Sequence, residues 1–295
     1  MLIRSFQSGD DAAVAGLVAA GYEGDPGLGE MVRGLYGPDR EPPAWRRCLV
    51  AESPGGAVLG VAAAQASQHH PGSVPVGVLV GPASRRRGVG SALLVAVREA
   101  IEGFVPPPLW STVDSRDPAG VGFAAARGFR PLLRYGVWRL DPATVRLPLA
   151  ESPVPLTPLT ALDSDAVLDA LAALLAWGQE TAPGWKPTPR EVIRAETLPR
   201  LLPAGGVVAV EGGAPVGVAA LAEFGGHLTA LCDVHNGQAG AEPLLAALLA
   251  RLLAAAGELG RPVDVEAVLG TPLGTVLDAL PTEPVSLRDA VQAEV

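Results

Sequence analysis

The amino-acid sequence predicts an α/β protein made of two similar domains in tandem. Its 295 residues are about the length of two domains of roughly 150 residues each. The segment 55–63 recurs as 212–220 with seven of nine positions identical, and Gly60 and Gly217 are 157 residues apart. Both copies lie in a predicted hairpin, and a strand and a long Leu/Ala helix follow each. We therefore predict domains over 1–142 and 158–295, joined by a proline-rich linker over 143–157.

Strand and helix patterns alternate through the first half. Gly, Pro, Ser and Asp mark its turns. After residue 80 the hydrophobic period changes from the spacing of a strand to that of a helix, with Leu93, Val97 and Ile101 on one face. The predicted elements are strands over 2–6, 47–52, 58–67, 74–80, 109–113 and 137–140 and helices over 11–20, 28–36, 89–101 and 120–127.

Charge and cysteine content exclude several classes of protein. The net charge of −9 argues against nucleic-acid binding, which needs a basic face. Cys48 and Cys232 both lie in apolar runs, so we expect free, buried thiols in a reducing compartment. The N-terminus lacks a signal pattern and the apolar helices are interrupted by charges, which predicts a cytoplasmic protein with no membrane span.

The segment between the predicted strand 74–80 and the helix 89–101 has the composition of an anion site. Gly88 and Gly90 allow successive N–H groups to converge at the start of a helix, where the helix dipole favours negative charge. Arg85, Arg86 and Arg87 add positive charge beside it, in a chain that is acidic overall. The pattern therefore predicts a diphosphate ligand; a solvated basic loop with two turn glycines is the simpler alternative.

This segment resembles the acetyl-CoA motif of the GNAT superfamily of N-acetyltransferases. Val80, Pro82, Arg85, Gly88 and Gly90 fill the pattern Val-x-Pro-x-x-Arg-x-x-Gly-x-Gly/Ala. The resemblance extends over residues 1–140 and includes the family's Gly-Phe pair at 128–129. It implies two tandem GNAT-like domains, each with a mixed, mostly antiparallel (α+β) sheet that is V-splayed and flanked by helices.

The resemblance also implies a cofactor, acetyl-CoA (coenzyme A), and a set of residues that hold it. The backbone of 78–80 would pair with the pantetheine arm, and the amides of 86–91 would hold the pyrophosphate. Asp117 stands where the family often has an asparagine. The implied cofactor-binding residues are Val78, Leu79, Val80, Arg85, Arg86, Arg87, Gly88, Val89, Gly90, Ser91 and Asp117.

The implied reaction is direct attack of an amine, on a small molecule or a peptide, on the thioester carbonyl, without a metal. The catalytic residues do not carry over. Ala124 occupies the position of the family's usual tyrosine acid, and no carboxylate lies between Ser73 and Val80. Catalytic residues therefore stay unassigned; possible substitutes are His69, His70, Asp114, Ser115, Tyr22 and Tyr36.

The second half lacks the charged loop. Its corresponding segment, 233–241, contains no arginine and no Gly-x-Gly spacing, so we expect a degenerate domain with little affinity for CoA.

Other readings of the glycine loop are weaker. A Rossmann dinucleotide site would need a third glycine where Leu93 stands, and a phosphate-binding Walker loop would need Gly-Lys-Ser/Thr. A non-catalytic acyl-CoA-binding or scaffolding protein is the alternative from another class, because the usual acid and base positions are empty. The sequence identifies neither the acyl acceptor nor the oligomeric state.

Overall fold

The computed structural model describes residues 1–23, 29, 32–69, 71–104, 108–147, 151–161, 165–178, 188–224, 226–235, 238 and 240–293. The chain forms two compact units. The first unit contains Met1–Val113, Asp117–Pro131 and the chain from Ala290 onwards. The second unit contains Asp114–Arg116 and Leu132–Asp289.

The first unit is a mixed sheet with helices on both faces. Strands β1 to β4 pair antiparallel in chain order, and β4 pairs parallel with β5. The strands are β1 (Leu2–Ser5), β2 (Arg46–Glu52), β3 (Val58–Gln65), β4 (Val74–Val80) and β5 (Leu109–Asp114). The helices are α1 (Asp11–Gly21), α2 (Val89–Ile101) and α3 (Pro118–Ala125).

The second unit repeats this plan. Its strands, with β12 shared between the units, are β6 (Arg130–Leu140), β7 (Leu156–Pro158), β8 (Leu201–Glu211), β9 (Ala214–Phe224), β10 (His227–Val234), β11 (Val263–Val268) and β12 (Ser286–Ala293). The helices are α4 (Asp165–Gly178), α5 (Ala241–Glu258) and α6 (Pro272–Asp278), with a short irregular helical stretch over 190–200. Strands β7 to β10 pair antiparallel in chain order and β10 pairs parallel with β11. Order and direction match β1–β5, so the predicted duplication of the fold is confirmed.

The alternation of side chains along the strands explains the two-faced core. In the first unit Val61 and Ala63 of β3 pack with α1, whereas Ala62 and Ala64 pack with α2. In the second unit the even residues of β9, such as Val218 and Ala220, pack with α4, whereas the odd residues Ala219 and Leu221 pack with α5. Alanine on both faces lets a helix lie close on each side of the sheet.

The units differ from the continuous segments 1–142 and 158–295 that the sequence predicts. The second unit includes most of β6, which pairs antiparallel with β11 from Leu140↔Val263 to Tyr135↔Val268. The first unit includes the end of β12. The physical reason is burial: Trp138 of β6 is 1% exposed in the second unit's core, and Val291 of β12 is 5% exposed in the first unit's core.

Within the predicted linker 143–157, the described residues Val145 and Val154 are also buried in the second unit's core, so this segment is not a free linker throughout. In the predicted helix 28–36, residues 28, 30 and 31 lie outside the described residues. The predicted helix 120–127 is α3, two residues earlier.

Both cysteines are free and buried, as predicted. Burial raises the pKa of the Cys48 thiol to about 11 and raises that of Cys232 further, so neither is a thiolate at neutral pH. Within the described ranges no helix is long and apolar enough to cross a membrane. The same ranges contain no group of three or more His, Cys, Asp or Glu residues that could hold a metal ion.

Candidate cofactor site

The loop between β4 and α2 is built around two residues with left-handed backbone. A short 3₁₀ turn, Pro82–Ser84, follows β4. Arg86 then has φ 61° and Gly88, the N-cap of α2, has φ 80°. Glycine adopts this conformation without strain, whereas arginine rarely does, so the loop holds Arg86 in an unfavourable backbone state. Left-handed residues in such a loop turn consecutive N–H groups toward one concavity.

These N–H groups are unsatisfied. The first bond of α2 runs from the Ala92 N–H to the Gly88 carbonyl oxygen at 3.0 Å. Among the described residues, the backbone amides from Arg86 to Ser91 donate no well-formed hydrogen bond to another loop or turn. The positive end of the α2 dipole lies at the same place. The start of α2 and the loop before it thus offer adjacent amides without a backbone partner, the arrangement that binds phosphate groups.

Positive charge surrounds these amides. Arg85, Arg86 and Arg87 are exposed, and no described carboxylate is within 4 Å of them. The Arg85 Nε donates to the Val80 carbonyl oxygen at 3.2 Å, which holds this side chain against the end of β4. The arginines thus remain available to neutralise an anion.

Arg127 is a fourth arginine at this loop, and the sequence analysis missed it. Its Nη2 donates to Ser91 Oγ, in the first turn of α2. Its guanidinium carbon lies 5.5 Å from the centre of the Phe123 ring. Only its position directly before the Gly-Phe pair could have drawn attention to it.

The edge of β4 beside this loop is open, a feature that a V-splayed sheet would have. β4 pairs with β3 as far as Val80↔Gly60. Its pairing with β5 consists of Val74↔Leu109 and Pro75↔Trp110 alone, although the remaining residues of both strands are described. From residue 76 to residue 80 the backbone of β4 therefore has an unpaired edge, and the predicted pantetheine-binding residues Val78, Leu79 and Val80 lie on it.

Asp117 has a structural task. It is the N-cap of α3, where its Oδ1 accepts a hydrogen bond from the Ala119 N–H at 3.0 Å. Cofactor binding by Asp117 stays a prediction.

The proposed catalytic substitutes are scattered. Asp114 and Ser115 belong to the second unit, where Asp114 Oδ1 accepts from the Arg116 N–H. Tyr22 is half-buried and His69 is exposed, whereas His70 lies outside the described residues. Ala124, at the family's tyrosine position, is 8% exposed.

Tyr36 is the substitute that reaches the open strand. A Cβ added at Gly77 of β4 would lie 2.5 Å from the Tyr36 hydroxyl, so only glycine fits beneath it. The side chain is 8% exposed, and its hydroxyl has no hydrogen-bond partner among the described residues. Burial raises its pKa well above the ordinary value for tyrosine, so the hydroxyl stays protonated at neutral pH and can supply a proton but cannot act as a base.

We expect Tyr36→Phe to stabilise the protein by about 1 kcal/mol or leave it unchanged. The reason is that a buried hydroxyl without a partner is unfavourable, whereas phenylalanine keeps the ring contacts. The urea midpoint of wild type and variant measures this. A loss of stability would mean that the hydroxyl has a structural partner in the folded chain.

The corresponding segment of the second unit, 233–241, contains no arginine. Gly240, the N-cap of α5, has φ 70°, which resembles Gly88. Residues 236, 237 and 239 of the segment before it lie outside the described residues.

Comparison with known proteins gives a match in structure alone. No protein-family model and no curated protein matches the sequence. A GCN5-related N-acetyltransferase from Sphaerobacter thermophilus superposes with a TM-score of 0.74 at 18% identity, over 99% of this chain and 95% of that one. A tandem GNAT protein from the clavulanic acid biosynthesis pathway gives 0.65 at 20% identity, over 99% and 98% of the two chains.

A glucosamine N-acetyltransferase region of a fungal multi-domain β-N-acetylglucosaminidase gives a TM-score of 0.71 at 13% identity, over 99% of this chain and 38% of that one. At such low identities, the agreement concerns the path of the chain and its element order. The chain therefore has the fold of the tandem GCN5-related N-acetyltransferases.

Proposed function

We propose that the protein is an acyl-CoA-dependent N-acyltransferase that moves an acetyl group from acetyl-CoA to an amine of a small molecule or peptide. The observation that carries the proposal is the run of free amides from Arg86 to Ser91, beside exposed arginines and the open edge of β4. Anion donors at one end and an unpaired strand edge next to them suit a ligand with a diphosphate and an amide-bearing arm.

The residues have separate tasks in this proposal. The amides of 86–91 and the arginines bind the diphosphate, while the backbone of 78–80 pairs with the pantetheine arm. Bound acetyl-CoA supplies the thioester. A backbone N–H on the open edge polarises its carbonyl oxygen, and the loop and strand together orient the carbonyl toward the amine.

Proton transfer is the step for which the chain has the fewest candidate acidic or basic side chains. Ala124 has no acidic group and β4 has no carboxylate. In the proposed reaction the amine therefore loses its proton to water, and the protonated Tyr36 hydroxyl, next to Gly77 of β4, is a proton donor for the departing thiolate. Orientation alone supplies much of the rate, so transfer does not depend on a dedicated acid.

Calorimetry with CoA and an assay for free CoA thiol test the proposal together. We expect one CoA per chain, bound in the first unit, and release of thiol from acetyl-CoA when amines are added. Two equivalent CoA sites would contradict the assignment to the first unit. Tight binding without thiol release over a broad panel of amines would favour the non-catalytic acyl-CoA-binding alternative.

The proton route predicts a pH dependence. With no base on the protein, kcat/KM for a simple alkylamine should rise about tenfold per pH unit from pH 7 to 9, because only the neutral amine is nucleophilic and its pKa is near 10. The rising limb should persist in Tyr36→Phe with a lower rate throughout, since that hydroxyl donates and does not titrate in this range. A plateau that begins near pH 7 in wild type would instead reveal a base on the chain.

A further inference from the structure

The second unit has an opening in its sheet like that of the first. β10 pairs with β9 along its whole length, from His227↔Phe224 to Val234↔Gly217. With β11 it pairs over Leu228–Ala230 alone, although residues 231–234 and 266–268 are all described. The edge of β10 is therefore unpaired from Leu231 to Val234.

A carboxylate lies on this open edge, at a position that is apolar in the first unit. Val61 and Val218 occupy the same place in the repeated segment, and their strand partners are Leu79 and Asp233. Asp233 thus corresponds to Leu79. Along β10 the even residues are buried under α5, so alternation places Asp233 on the α4 face beside Leu231.

The surroundings of Asp233 are apolar. Leu231 and Val218 belong to the cluster that packs against α4, and both flank Asp233 on the same face of the sheet. The row of odd residues on β10 is half-buried, so this face is not closed. A ligand that reaches the carboxylate would meet hydrocarbon on its way.

Asp233 has no counter-ion in the described part of the chain. Its Oδ1 accepts a hydrogen bond from the Val234 N–H at 2.8 Å, and no described Arg, Lys or His nitrogen is within 4 Å of either oxygen. Burial raises the pKa of this carboxyl to about 6, so it is ionised at neutral pH despite the unfavourable site. A charge in such a place is unfavourable unless it is paired, so a cation that reaches the carboxylate would stabilise it.

We propose that the open edge of the second unit binds a primary ammonium ion on an apolar stem, with Asp233 as its counter-ion. Oδ1 already accepts one hydrogen bond, so Oδ2 has the larger free acceptor capacity; such a one-sided carboxylate suits the point charge of an ammonium group better than the two-pronged guanidinium. Leu231 and Val218 contact the stem. The two openings then differ in sign, with an anion site in the first unit and a cation site in the second.

The site can be observed directly in the full-length chain. Asp-Val occurs twice in the sequence, at 233–234 and 264–265, so labelling with ¹³C-carbonyl Asp and ¹⁵N-Val gives two selected amide resonances. The Val234 N–H is bonded to the carboxylate and reports on it. We expect n-butylammonium chloride to shift the Val234 resonance saturably and to leave Val265 unchanged. The neutral n-butanol should bind at least about tenfold more weakly.

Matched variants make the test specific. Asp233→Asn, labelled at asparagine instead, should weaken n-butylammonium binding by at least about tenfold, whereas Glu258→Gln removes the same charge from an exposed position in α5 and should have no effect. Asp233→Leu, which copies the residue of the first unit, provides a second loss variant whose binding is followed by calorimetry. Equal binding of n-butanol, unchanged affinity in Asp233→Asn, or no saturable shift in wild type overturns the proposal. CoA is absent throughout, so the outcome is independent of the proposed acyltransferase activity.

Discussion

Gly88→Glu should abolish CoA binding, while the corresponding change in the second unit, Gly240→Glu, should leave it intact. Both glycines are N-caps with left-handed backbone, at φ 80° and φ 70°, and a Cβ at either would meet no atom within 4 Å. The two variants therefore share the backbone strain of a non-glycine residue, about 1–2 kcal/mol. They differ in the neighbouring loop: Arg85, Arg86 and Arg87 precede Gly88, whereas the segment 233–239 before Gly240 contains no arginine.

At Gly88 the new carboxylate would occupy the concavity of free amides and repel the diphosphate. Loss of two charge-assisted hydrogen bonds at about 1.5 kcal/mol each already weakens binding by at least about 100-fold. Calorimetry with CoA measures the loss, and circular dichroism shows whether each variant is folded. If Gly240→Glu lost CoA as completely as Gly88→Glu, or if Gly88→Glu kept it, the diphosphate would have to lie elsewhere.

Local structure around the candidate site follows directly from the sequence. The predicted strand 74–80 and helix 89–101 are β4 and α2 with the same bounds, because the hydrophobic period changes between them and two glycines mark the loop. The duplication was predictable for a similar reason. Gly60 and Gly217 recur at positions where a Cβ would be about 3 Å from a facing leucine side chain, and at Gly60 also 2.7 Å from the Leu79 carbonyl oxygen.

The pairing of strands was harder to predict from the sequence. A period of two identifies a strand and its two faces but says nothing about which edge it joins. The final strand β12 escaped prediction because charged residues, Arg288 and Asp289, stand within it; Asp289 is tolerated there because the Arg134 guanidinium pairs with it at 2.6 Å and lowers its pKa. The membership of β6 and β12 in the units depends on such long-range contacts.

Site features that depend on contacts between residues distant in the sequence could not be predicted either. The Tyr36 hydroxyl is a candidate site group only because it lies over Gly77 of β4, and these two residues are far apart in the chain. Arg127 contacts Ser91 across 36 positions. Asp233 looks like the start of a loop in the sequence, and only strand pairing places it on an open edge opposite Val218.

Asp233→Asn should stabilise the protein at pH 7, and the gain should vanish in acid. Burial raises the pKa of this carboxyl from 3.8 to about 6 in the folded state. Between these values the folded chain holds a proton that the unfolded chain has lost, so the stability of wild type falls as the pH rises through this window and stays low above it. A shift of about two pKa units corresponds to at most about 3 kcal/mol, and solvent screening at the half-buried position reduces this to about 1–2 kcal/mol.

Asparagine does not ionise, and its amide oxygen can still accept the hydrogen bond from the Val234 N–H. The difference in unfolding free energy between Asp233→Asn and wild type should therefore be near zero below about pH 4, grow between about pH 4 and pH 6, and remain constant at higher pH. Urea midpoints across this range measure it, with Glu258→Gln as the control for a loss of surface charge. A difference that does not change with pH would show that the carboxylate is solvated or paired in the folded chain. In that case the folded protein would carry no uncompensated buried charge at Asp233, and the stability data would give no support for a cationic ligand there.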